Sequence, residues 1–104
     1  MTATGAAALE GLAGNAAEAA RFLKLLANKH RLQILCRLAS DGEMSVNAIA
    51  ETIGLSQSAL SQHLARLRAD GFVSFRRDAQ TLHYRVSDAR ALKLLKTLKT
   101  IFCP

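Results

Sequence analysis

The sequence predicts a mainly α domain with one β-hairpin, and three stretches carry that expectation. Residues 54–70 open on a Gly54-Leu55 turn, pass through a serine able to cap a helix, and then place leucines on one side only. A short segment with its own apolar stripe, Val46 to Ile53, precedes them. A basic run with period-two alternation follows them. Helix, turn, helix and basic hairpin in that order are the layout of a winged helix-turn-helix.

Each element has a local cause. Residues 1–14 are rich in Ala, Gly and Thr and are expected to be a flexible, fraying lead, with the folded domain occupying 15–104. A first helix is expected from about Ala16 to Ala27, with Phe22, Leu23, Leu25 and Leu26 as its oily face. Asn15 with Glu18 three residues later resembles a capping box. A second helix from about His30 to Ser40 carries Leu32, Ile34, Leu35, Cys36 and Leu38, and Asp41-Gly42 ends it. Ser45 heads a third, striped by Val46, Ile49, Ala50 and Ile53, and Gly54 closes it as the residue best suited to a left-handed conformation. Ser56 opens a fourth, whose Leu60, Leu64 and Leu67 fall at i, i+4, i+7 and must face the core before Gly71 stops it. Val73 and Phe75, then Leu82, Tyr84 and Val86, alternate with Ser74, Arg76, His83 and Arg85 on either side of Asp78-Ala79-Gln80, which reads as a hairpin. A last helix starts near Ser87-Asp88 and runs to about Phe102, with Leu94, Leu95, Leu98, Ile101 and Phe102 forming a broad apolar face. The only proline is Pro104, so no helix is interrupted.

Composition narrows the function. A chain of 104 residues supports one domain with a modest core. Fourteen Lys and Arg against eight Asp and Glu give a net charge of +6, which favours a polyanionic partner, nucleic acid first. No 18-residue apolar run is present, so no membrane partner is expected. The first residues lack the basic-then-apolar pattern of a signal peptide, and a cytoplasmic location is expected. In that compartment two cysteines are not expected to form a permanent bridge, and any pairing would be transient.

The fourth helix carries the chemistry. On a wheel of about 100° per residue, Leu60, Leu64 and Leu67 share one side. Ser58, Ser61, Gln62 and Ala65 fall roughly opposite, with Gln57 and Arg66 on the flanks. Glutamine amides match adenine in the major groove of double-stranded DNA, and serine reads several base edges. Small residues let the helix sit close, and its N-terminal turn, with Ser56, Gln57 and Ser58, does the reading. On the hairpin, Arg76, Arg77 and Arg85, with Gln80 at the tip, suit phosphates and the adjacent minor groove. His63 lies at the core edge of the wheel and reads as a packed histidine rather than a base reader.

From Leu26 through Phe102 the sequence resembles the ArsR/SmtB family of bacterial dimeric winged-helix repressors. The segment Leu26-Ala27-Asn28-Lys29-His30-Arg31-Leu32-Gln33-Ile34-Leu35 matches that family's Leu-Ala-Asn-Pro-x-Arg-Leu-x-Ile-Leu, with Lys29 standing where proline is usual. Residues 54–64 and 76–81 are most similar to the family's nodulation-repressor members. The resemblance implies a homodimer built from the first and last helices. It also implies an inverted-repeat operator with half-sites about one helical turn apart.

Many relatives release DNA on binding metal, which needs clustered thiolates or His and carboxylates at ligand spacing. Here no Cys-x-Cys occurs, no histidine follows Asp88, and His30, His63 and His83 fall in three different elements, so no metal and no cofactor is expected. Cys36 on the second helix and Cys103 at the end of the last are 67 positions apart, too far for a local redox motif. Taken alone, both are also explained as small buried hydrophobes. The segments Ile34-Leu35-Cys36 and Leu98 through Cys103 resemble the family's persulfide-sensing branch. There the matching cysteines join through a disulfide or polysulfide and DNA is released, which implies reactive sulfur species as the inducer. The alternative is a redox-inert repressor or anti-silencer of the same fold. An enzyme is not expected, since Cys36 and His30 are badly spaced for contact on a helix and no paired carboxylates suggest a cleft.

Overall fold

The structure is a computed structural model and describes residues 9–103. The elements are α1 (residues 9–14), α2 (Ala16–Leu26), α3 (Lys29–Asp41), β1 (Met44–Ser45), α4 (Val46–Ile53), α5 (Gln57–Ala69), β2 (Val73–Asp78), β3 (Thr81–Val86) and α6 (Ala89–Phe102). This is a mainly helical winged helix-turn-helix with a small antiparallel wing. No helix among the described residues is long and apolar enough to cross a membrane.

Side-chain caps fix most helix starts. Ser45 Oγ accepts from the Ala48 N–H at 3.2 Å, and Ser56 Oγ from the Ala59 N–H at 3.1 Å. Asp88 accepts from the N–H groups of Arg90 and Ala91 at 2.7 and 3.3 Å. Each satisfies backbone donors that a helix N-terminus leaves without partners. Asn28 does the same for His30 and Arg31, which starts α3 at Lys29, one residue earlier than the sequence suggested. Gly54, at φ +79°, makes the left-handed turn between α4 and α5 while its N–H donates to Ala50 O at 2.8 Å.

The amino-terminal expectations need correction. Residues 9–14 are helical rather than frayed, while the fraying expected of residues 1–8 lies outside the described residues. Asn15 stands at the N-cap position of α2, but its side chain makes no cap bond, because helix runs up to it from the other side. Its Nδ2 instead donates back to Gly11 O at 3.2 Å. Glu18, expected to complete the box, pairs with Arg90 of α6 at 3.1 Å. Arg90 also lies over the Phe22 ring at 4.8 Å, tying α6 to α2.

A third strand joins the wing. Met44 pairs with Tyr84 and Ser45 with His83, giving the antiparallel sheet order β1-β3-β2. Within the hairpin, Phe75 sits opposite Tyr84, their rings 5.4 Å apart, and Asp78 pairs with Thr81 across the tip. The core is continuous. Leu26, Ile34, Leu35, Leu38, Ile49, Leu60, Leu64, Leu67 and Phe72 are almost wholly buried. Phe72, directly after the Gly71 turn, packs its ring 5.1 Å from Phe22 and closes the core under α2.

One apolar surface stays open. Leu9, Leu12, Leu23, Ile101 and Phe102, on α1, α2 and α6, are 53–74% exposed. Exposed apolar groups on neighbouring helices are the pattern of a surface awaiting a partner.

Truncating Leu64→Ala, a 1% exposed side chain at the middle of the α5 anchor, is expected to cost about 2–5 kcal/mol. Urea unfolding of the purified protein measures it. A loss under about 1 kcal/mol would mean that α5 is not anchored as described.

Candidate nucleic-acid interface

The orientation of α5 follows from its leucines. Leu60, Leu64 and Leu67 are at most 1% exposed. Their burial turns Gln57, Ser58, Ser61, Gln62, Ala65 and Arg66 outward, and all six are exposed, as is the capping Ser56. The flank expected to meet DNA is therefore on the surface and continuous along the helix. Its members are not equally free. The oxygen of Ser56 accepts from the Ala59 N–H as the helix cap, which leaves its hydroxyl hydrogen and one lone pair to offer outward. The amide of Gln57 donates from Nε2 to Asn47 Oδ1 on α4. Arg66 faces Asp70 one turn on, at 3.4 Å.

The wing stands beside α5. Arg68, near the end of α5, lies over the Phe75 ring of β2 at 5.0 Å and joins the two. Arg77 and Gln80 are exposed, as expected of groups aimed at a backbone. Arg76 is exposed too, but its guanidinium is taken up by Glu43, with Nε and one terminal nitrogen 2.9 and 2.8 Å from Oε1. The hydrogen bond from Arg76 holds the Glu43 carboxyl below its usual range, and the same bond holds Arg76 above its own. Among the described residues neither Arg77 nor Arg85 makes an ion pair, although the charge of Arg85 also acts on Glu43.

His63 is half-buried and packed, and its ring centroid lies 5.7 Å from that of His30. The sequence placed these two histidines in separate elements, and folding brings them together under α5. Burial pushes the His63 pKa down, and its neighbours Arg31 and His30 push it the same way. The neutral ring is the form this packing favours.

The two cysteines are both free and both exposed, which removes the reading of them as buried packing groups. Cys36 borders a shallow pocket lined by Gln33, Arg37, Ser40, Thr52 and Ile53. That flank is shielded enough for desolvation to push the Cys36 thiol up, and the charge of Cys103 pushes it the same way. Folding thus brings the two sulfurs within electrostatic reach inside one protomer, across 67 positions of sequence. Arg37 gives Cys36 no help, since it turns to Asp41 at 3.6 Å.

Three participants escaped the sequence. Asn47 and Glu43 reach Gln57 and Arg76 across 10 and 33 positions, and no local pattern announces either. The Arg68 stacking had one signal, an aromatic at the start of the strand that follows.

An exposed polar flank on a helix held by a turn, beside a basic wing, is the DNA-binding surface of a winged helix-turn-helix regulator. Comparison with known proteins makes the assignment specific. The family model for bacterial regulatory proteins of the arsR family matches residues 28–74. The chain is 54% identical to the nodulation protein NolR of Rhizobium meliloti, covering 81% of this chain and 68% of that one. It is 45% identical to the transcriptional activator HlyU of Vibrio cholerae, over 91% of this chain and 87% of that one. Among solved structures, the transcriptional repressor BigR from Xylella fastidiosa superposes with a TM-score of 0.84 at 40% identity, over 91% of this chain and 96% of that one. The chain belongs to the ArsR family of bacterial transcriptional regulators.

Proposed function

We propose that this regulator is a repressor. Two copies, paired through α1, α2 and α6, hold their α5 helices in successive major grooves of an inverted repeat, and they let go when Cys36 and Cys103 react with reactive sulfur species. The exposed leucines on α1 and α2, with Ile101 and Phe102 on α6, supply the apolar surface for pairing. Ser56, Gln57, Ser58, Ser61, Gln62 and Arg66 face the bases and flanking phosphates, and Arg76, Arg77 and Gln80 carry the wing to the backbone. Repression follows from occupancy of the operator in the reduced form.

One observation supports the sensing: two free, exposed thiols, one on α3 and one at the end of α6. The chemistry balances without an added oxidant. A cysteine thiolate attacks the terminal sulfur of a persulfide R–S–SH, forming Cys–S–SH and releasing RS⁻. The second cysteine attacks the inner sulfur, giving Cys–S–S–Cys and hydrogen sulfide. If both cysteines are first persulfidated, their condensation gives a trisulfide and hydrogen sulfide. Either bridge ties α3, which packs against α5, to α6, which carries part of the pairing surface. A shift of about 3 kcal/mol between the two states lowers affinity more than 100-fold.

A second reading, a redox-inert regulator of the same fold, is favoured by the raised Cys36 thiol, which keeps the nucleophilic thiolate scarce at neutral pH. Gel-shift of the parent, Cys36→Ser and Cys103→Ser proteins with a persulfide donor separates the two. The sensing account expects release by the parent only, with an intact mass two hydrogens lower per protomer for a disulfide, or that change plus one sulfur for a trisulfide. Retention of DNA by all three proteins would support the inert reading, and equal release by all three would show that Cys36 and Cys103 are not the sensors.

The wing generates a separate expectation. Arg77→Ala should weaken specific and random duplexes alike and flatten the dependence of log K on log salt by about 1. Arg76→Ala should do so less, because Glu43 already opposes its charge. Anisotropy titrations across a salt series measure both, and an Arg77 effect confined to the specific site would assign it to base reading instead.

A further inference from the structure

The contact between Asn47 and Gln57 is, among the described residues, the one side chain-to-side chain hydrogen bond that joins α4 to α5. Both residues are exposed, so no burial demands the contact. Both stand on well-fixed backbone. Asn47 lies in the first turn of α4, started by the Ser45 cap, and Gln57 is the first residue of α5, started by the Ser56 cap. The left-handed Gly54 turn sets the distance between them.

A glutamine amide carries two N–H donors and one carbonyl acceptor. The adenine edge in the major groove asks for one donor, to N7, and one acceptor, for N6–H. A free glutamine on the surface can rotate its amide and exchange the two ends, so the choice of base is left open. Asn47 Oδ1 can accept only from the NH₂ end of Gln57. In the pairing seen, one N–H is engaged by Asn47 Oδ1, so Gln57 retains one N–H and its carbonyl in the order that this pairing sets.

We propose that Asn47 is a positioning residue that sets the amide of Gln57 and so makes it selective for adenine at the base pair it meets. The proposal rests on the reading of α5 as the base-reading helix. Asn47 acts through Gln57 and need not touch DNA itself. The asparagine is thus a specificity determinant located on the helix that precedes the reader.

Selection of binding sites from a randomised duplex pool tests this, using the full chain in five forms: parent, Asn47→Ala, Asn47→Asp, Gln57→Ala and the Asn47→Ala/Gln57→Ala double. The parent should enrich adenine at one position per half-site. Asn47→Ala should lower that preference about tenfold, within the range one bidentate amide–base pair supplies, and leave other positions as they were. Asn47→Asp keeps the acceptor, so it should keep the preference while lowering affinity for every duplex through its added negative charge. In the Gln57→Ala background the Asn47 change should have no further effect at that position. The proposal is overturned alone if Gln57→Ala abolishes the preference while Asn47→Ala leaves it intact, or if the Asn47→Ala effect persists undiminished without Gln57. If Gln57→Ala itself alters no preference, both the base-reading assignment and the proposal fall. A merely structural role for Asn47 would change affinity or thermal stability without touching one base position, and the Asn47→Asp arm reads that difference even if Asn47→Ala folds poorly.

Discussion

Three leucines decide how this protein faces the outside. Leu60, Leu64 and Leu67 are the only wholly buried residues of α5, and each contributes on the order of 1.5–3 kcal/mol by leaving water. Helical spacing allows one rotation of α5 that buries all three together. Turning the helix by one residue, about 100°, would expose leucines and bury serines or glutamines without partners. The outward flank of Gln57, Ser58, Ser61 and Gln62 is therefore a consequence of core packing, and core stability and DNA recognition are linked through a single helix.

Everything around α5 holds that flank at a fixed place. The Ser56 cap and the Gly54 turn define where the helix begins, and Arg68 over Phe75 fixes it against the wing. The wing in turn is steadied by β1, whose two residues pair with β3. Charge is distributed with equal economy of means. Asp70 and Glu43 oppose Arg66 and Arg76, while among the described residues Arg77 and Arg85 make no ion pair. The arginines of the hairpin can steer and position the wing on a polyanion without dictating sequence.

Much of this was legible from residue order because its causes are local. Ser45, Ser56 and Asp88 cap within three residues of themselves, and Gly54 closes α4 where only a left-handed turn fits. The leucine spacing alone named the exposed flank. What the sequence hid depends on contacts between distant segments. A strand of two residues shows no alternation, so β1 left no trace. Asn15 looks like a cap until α1 is seen running into it. His30 meets His63, Arg76 meets Glu43 and Gln57 meets Asn47 only because the tertiary fold sets them side by side. The cysteines were visible as a pair at the ends of a long interval, but their shared surroundings, and the upward push on Cys36, required the packing of α3 against α4 and α6.

Operator binding of this kind requires two copies of the α5 flank, rigidly spaced, on one duplex. Inserting five base pairs between the half-sites of a selected operator tests this most directly, because it rotates one groove to the opposite side of the helix without changing either half-site. A fixed pair predicts that affinity, measured by anisotropy at constant salt, falls to that of a duplex bearing a single half-site. Affinity unchanged by the insertion would show that the two flanks do not grip one face of the DNA together.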